Sequence, residues 1–148
     1  MTPVSCTTTH RPPSSYGDCL RACIATVMDM PPEQVPHFAD LGATGQEALA
    51  SARRWLAGHG LTIATFALPG SEPLSEVMDF MEQTNPTVTW LLFGSTTHPD
   101  VLEAASLHVN VCQGGRVVHD PAWVPNSIKS PYRERGESVW QIWVIARV

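Results

Sequence analysis

The chain has 148 residues, with 9 Lys and Arg against 14 Asp and Glu and a formal net charge of -5. Hydrophobic residues make up 43% and charged residues 16%, a balance that fits one globular domain over residues 1–148 and excludes a disordered or fibrous chain. No Lys/Arg run is present, which argues against a surface for nucleic acid or anionic membrane, and no apolar run reaches the roughly 18 residues of a membrane span.

The start, MTPVSCTTTHRPPSS, lacks the basic opening and apolar stretch of an export signal, so a cytoplasmic location is expected. The four cysteines, Cys6, Cys19, Cys23 and Cys112, are then expected to be free thiols. Thr2 to Thr9 is Thr-rich and fits a short edge strand. Pro12, Pro13 and Gly17 make the next stretch irregular.

A helix fits from Asp18 or Cys19 to about Met30. Asp18 suits the N-cap, where its carboxylate would accept from first-turn N–H groups, and Pro31-Pro32 forms the stop. The run Leu20 to Met30 is apolar on most faces, so this helix should be central and buried. PPEQVPHF holds at most a short helical turn. A second helix fits Thr44 to Ala57, opened by the capping box Thr44-x-x-Glu47 and closed by Gly58 and Gly60.

LTIATFAL reads as a strand, Pro73 to Glu82 as a third helix preceded by Ser71, and TVTWLLF as a buried strand. LHVNVC and RVVHD flank Gln113-Gly114-Gly115 and form a hairpin. PAWVPNSIKSPYRERGE is a long polar loop, and SVWQIWVIARV is a closing strand. Trp90, Trp140 and Trp143 fall in strand runs and read as core, and Trp55 as helix core. Helices come early and strands late, which is α+β with an antiparallel sheet.

Cys19 falls in the first turn of the first helix. Unpaired N–H groups there favour an anion, whether a thiolate or the oxyanion of an attacked carbonyl. Cys23, one turn deeper in the apolar run, gains neither and reads as packing. A thiol nucleophile needs a base, and the base needs an orienting group. His10, His37, His59 and His98 have no obvious acid placed beside them by regular structure.

His108 and His119 lie on the hairpin, where register decides. A two-residue Gly114-Gly115 turn sets His108 against Pro121 and turns Asp120 to the other face. A three-residue Gln113-Gly114-Gly115 loop pairs Cys112 with Arg116 and His108 with Asp120, within about 5 Å at Cβ. The second register is the expectation, because it creates a chemical pair.

YGDCLRACIATVMDMPPEQVPHF, followed by LHVNVCQGGRVVHDP, resembles papain-like cysteine peptidases. The likeness is greatest to the bacteriocin-leader-processing (double-glycine) peptidase branch and its stand-alone bacterial and phage relatives. In that family an Asp-Cys pair opens a central helix packed on an antiparallel sheet. The His follows on a later strand, and an Asp or Asn on the next. The order Cys19, His108, Asp120 matches.

The resemblance implies an α+β papain-like fold and a thiol peptidase or amidase that needs no cofactor or metal and takes a peptide or protein substrate. Cys19 would be the nucleophile, His108 the general base and acid, and Asp120 the orienter. The family's Gln shortly before the nucleophile is missing, since the first glutamine is Gln34. The oxyanion hole is left to the Cys19 N–H with Thr7 or Ser15, or to Cys6 or Ser14. Leu20 stands where these peptidases often carry Gly. Tyr16 and Trp123 are candidates to line the substrate cleft.

Two other classes compete. Cys6, His10, Cys19 and Cys23 could suggest a metal, but Cys-x3-Cys on a buried helix is a poor zinc spacing, and it is no better as a redox couple. A papain-like scaffold used only for binding is the stronger rival, because fold does not fix function.

Overall fold

The computed structural model describes residues 1–10, 14–96, 107–122, 127–134 and 136–148. Helix α1 spans Cys19–Met28, two residues short of the expected end. Asp29 closes it in the left-handed region (φ 54), its N–H turned back to the carbonyls of Ala25 and Thr26, before Pro31 is reached. A short 3-10 turn follows over Pro32–Gln34. Helix α2 spans Gly45–Gly58, and both halves of the Thr44/Glu47 capping box are formed. Helix α3 spans Leu74–Thr84, with Pro73 at its N-cap position and its end two residues beyond the expected Glu82.

The strands are β1 (Leu61–Pro69), β2 (Thr89–Ser95), β3 (Leu107–Gln113), β4 (Arg116–His119), β5 (Tyr132–Glu134) and β6 (Glu137–Arg147). They form one sheet in the order β1-β6-β2-β3-β4, with β5 also on β6, and every pairing is antiparallel. The α+β class therefore holds.

Two parts of the chain take a different secondary structure from the sequence reading. The stretch read as one long loop contains β5, which pairs Tyr132 with Val139. Thr2 to Thr9 is not a strand. Its main chain is held instead by Asp29, Thr26 and Asp18 side chains and by the Pro121 carbonyl, so it follows α1 without a ladder partner.

Alternation along the buried central strand β2 divides the core. Leu91 and Phe93 join Val109, Val111 and Trp143 beneath Cys23, Ile24 and Ala25 of α1 and Ala48, Ala52 and Leu56 of α2. Trp90 and Leu92 join Cys112, Trp140 and Ile142 on the opposite face, under Val77 and Met81 of α3. Burying a side chain such as Ile24 or Leu91 completely contributes about 1.5–3 kcal/mol. Trp90, Trp140 and Trp143 are core, as read. Trp55 is only partly buried, and its ring lies against those of Phe38 and His59.

The hairpin corrects the expected register. Gln113 pairs with Arg116 and Cys112 with Val117, so the turn is the two-residue Gly114-Gly115, with Gly114 at φ +52. Left there, Asp120 would face away from His108. The register then shifts, and Val111 pairs with His119. Val118 is the extra residue of a β-bulge, and one extra residue reverses which face the following side chains take. Carried one residue further, this register sets Asp120 across from Asn110, on the face that His108 shares.

Candidate active site

The site begins at the N-terminus of α1. Cys19 is the first helical residue, and the first helical bond runs from Ala22 N–H to the Asp18 carbonyl at 2.9 Å. The N–H groups of Cys19, Leu20 and Arg21 precede that bond and have no acceptor within the helix. Asp18 holds the N-cap position but does not cap. Its side chain makes no cap hydrogen bond.

The residue is instead 2% exposed, and its carboxylate accepts from Thr7 N–H (2.9 Å), Thr7 Oγ1 (2.6 Å) and Thr8 N–H (3.1 Å). Three donors from another segment outcompete the first turn for one carboxylate. Burial raises the Asp18 pKa, but the Thr7 and Thr8 hydrogen bonds outweigh it and the net displacement is downward. The first turn of α1 is thereby left without a side-chain cap.

His108 is 7% exposed on β3, and its Nε2 lies 2.8 Å from Asp120 Oδ1. Cys19 and His108 line one cleft, and Cys19 joins Asp120 in pushing the His108 pKa up. Burial alone would lower the His108 pKa, but the hydrogen bonds and charge of Asp120 and Cys19 raise it to about 9. The imidazolium is therefore held at neutral pH.

Asp120 accepts further from Ala122 N–H (3.0 Å), Ser127 N–H (2.8 Å) and Ser127 Oγ (2.7 Å). Against the upward push of burial, these bonds and His108 hold its carboxyl well below the usual carboxylate range. With the Asn110 amide nitrogen turned toward the carboxylate, it lies 3.1 Å from Asp120 Oδ1.

Gly94 of β2 stands opposite His108. A Cβ there would come within 2.6 Å of Ile128 Cγ2 and 3.0 Å of the Ser130 carbonyl. Its absence lets residues 128–130 close over the strand, next to the Ser127 that holds Asp120.

Cys19 and His108 both line a cleft of about 910 Å³. Tyr16 lines it too. Trp123, the other cleft candidate, and His98 lie outside the described residues. Thr7 and Ser15 are not placed as oxyanion donors, and neither lines the cleft. The Thr7 hydroxyl donates to Asp18, and the Ser15 hydroxyl to the Thr9 carbonyl.

Cys6 does line the cleft, and burial first, then the charges of Cys19, Asp18 and Asp120, push its thiol up to about 12. The apolar wall comes from Leu20, Ala39, Ala48, Leu49 and Leu107. Gln46, at the start of α2, is the side-chain amide of the lining.

Sequence reasoning missed Asn110, Ser127 and Gln46. Asn110 carried a signal, since it lies two residues beyond His108 and so on the same face of the strand. Ser127 and Gln46 carried none, because loop closure and helix packing bring them in.

Three other histidines hold structure together. His37 Nε2 bonds the Tyr16 carbonyl (3.0 Å), His59 Nδ1 the Trp55 carbonyl (2.9 Å) and His119 Nε2 the Val4 carbonyl (2.7 Å). His10 Nδ1 accepts from Gly17 N–H at 3.3 Å beside the cleft. Among the described residues no group of three or more His, Cys, Asp or Glu side chains is arranged to hold a metal ion, and no helix is long and apolar enough to cross a membrane. The chain matches no protein-family model, no curated protein and no solved structure.

Proposed function

We propose that the chain is a papain-like cysteine hydrolase that cleaves a peptide or amide bond through Cys19, His108 and Asp120. The observation that carries the reading is a buried imidazole bonded to Asp120 that shares one cleft with Cys19, at the open end of a helix. A nucleophile, a base and an orienter in mutual reach make up the triad logic, with sulfur in place of oxygen.

Asp120 fixes the ring and stabilises its charged form. Cys19 attacks the carbonyl carbon, an S–C bond forms, and the carbonyl oxygen takes the negative charge. First-turn N–H groups of α1 stabilise that oxyanion. His108 then gives its proton to the leaving nitrogen as the C–N bond breaks, leaving a thioester on Cys19. It next takes a proton from water, whose oxygen displaces the thiolate.

Trapping tests this. A peptide or amide bearing an electrophilic carbonyl should add mass to Cys19, as read by peptide mapping, and Cys19→Ala should lose the adduct. Adducts spread over Cys6 and Cys19 alike, or none at all, would overturn the reading.

A second reading is a papain-like scaffold that binds without cleaving. One observation favours it: the hydroxyls of Thr7 and Ser15 are both bonded elsewhere, so neither completes the oxyanion hole. Saturable peptide binding without turnover or adduct would select it.

A further inference from the structure

The cleft that holds Cys19 carries a charge that the hydrolytic chemistry does not use. Among the described residues no Asp or Glu and no lysine lines it, although the chain as a whole bears a net charge of -5. The His108 imidazolium is balanced by Asp120, 2.8 Å away. Arg133, an exposed residue of β5, is the arginine of the lining. It has no hydrogen bond or ion pair among the described residues.

Position decides what this cation can recognise. Arg133 follows Tyr132, which is buried in one cluster with Leu20 and Ala48, and Ala39, Leu49 and Leu107 pack against that cluster. The cation therefore borders the apolar wall of the cleft. Its backbone is fixed. The β5–β6 ladder pairs residues on both sides of it, and the Tyr132 hydroxyl donates to Gln141 Oε1 at 2.6 Å.

We propose that the substrate segment bound beside Cys19 carries an apolar side chain next to a carboxylate, the first lying on the α1/α2 wall and the second on Arg133. This rests on the reading of the cleft as a site of peptide or amide hydrolysis, which it narrows to one substrate class. A guanidinium presents a planar fork of N–H donors that matches a carboxylate. A cleft lined by one sign of charge concentrates ligands of the other sign. The apolar wall favours a ligand group that leaves water. A basic segment would be repelled by Arg133, and an uncharged one would leave it unused.

Calorimetric titration of the full chain carrying Cys19→Ala tests this without turnover. The probes are the acetylated, amidated tripeptides Ala-Leu-Asp and Ala-Asp-Leu and their Asn twins, which differ by one charge at nearly equal shape. In at least one pair the Asp peptide should bind at least about fivefold tighter than its twin. That gap should close in Arg133→Gln, persist in Arg133→Lys, and shrink as salt rises from about 20 to about 500 mM. Arg133 is exposed and has no partner to lose, so neither variant disturbs the fold. Serine in place of the peptide's leucine should weaken binding at least about fivefold.

Equal affinities within both pairs overturn the proposal. So does a gap that survives Arg133→Gln, indifference to the leucine, or no binding by any of the four peptides. Failure of the hydrolase reading would show instead as a missing Cys19 adduct in the unaltered chain, on which these titrations do not depend.

Discussion

Cys19 and Cys23 sit on one face of α1, one turn apart, and both sulfurs point at carbonyls of β3. Cys23 Sγ donates to the Val109 carbonyl at 3.2 Å, is 0% exposed, and has its thiol pushed far up by burial. Cys19 Sγ is 3.9 Å from the Leu107 carbonyl, too long for a firm bond, and it opens onto the cleft beside His108. Four residues separate a satisfied core thiol from an addressable one. The difference lies in the helix end, the uncapped N–H groups and the charged imidazole, not in the residue type.

Four variants and a pH profile would break or sharpen that contrast. Cys19→Ala should lower turnover by roughly 10⁴-fold or more with little change in stability. Cys23→Ala should leave turnover per folded molecule unchanged and cost about 1–2 kcal/mol in denaturant unfolding, because it opens a small cavity under β3. Equal losses of turnover in the two would erase the distinction.

Asp120→Asn should lower kcat/KM by about 10²-fold or more, and in an NMR titration the His108 midpoint should fall from about 9 toward its ordinary 6.5.

The pH profile follows with its sign. The His108 pKa is raised on folding, so its contribution to stability is full below 6.5 and is lost as pH rises through about 9. The Asp120 carboxyl is lowered on folding, so its contribution is full above 3.8 and is lost as pH falls below that value. Hydrolysis should decline over the same alkaline range as the imidazolium is titrated. The smallest effect is expected for Asn110→Ala, about 1 kcal/mol or roughly fivefold in rate, read as a loss in kcat with KM unchanged.

Features set by local chemistry were legible in the sequence. The Thr44/Glu47 box opens its helix, the apolar run of β2 is the buried central strand, and Cys19 starts α1. Features set by tertiary competition were not. Asp18 is the right residue type for a cap, but Thr7 and Thr8 take its carboxylate.

The hairpin is the most instructive case. His108 and Asp120 were expected to meet through a three-residue loop, and they meet through a two-residue turn and a bulge at Val118. RVVH has nothing that marks which Val is extra, since the bulge is selected by the packing of both faces. Asn110 could have been read from its spacing to His108. Ser127 arrives with a loop that closes over Gly94.

Alkylation of the native chain at mildly acidic pH tests the central claim most directly. Burial holds the thiols of Cys6, Cys23 and Cys112 protonated, so the account predicts rapid labelling of Cys19 alone, lost in His108→Ala. Slow, uniform labelling of all four cysteines, or Cys19 labelling that survives His108→Ala unchanged, would contradict it.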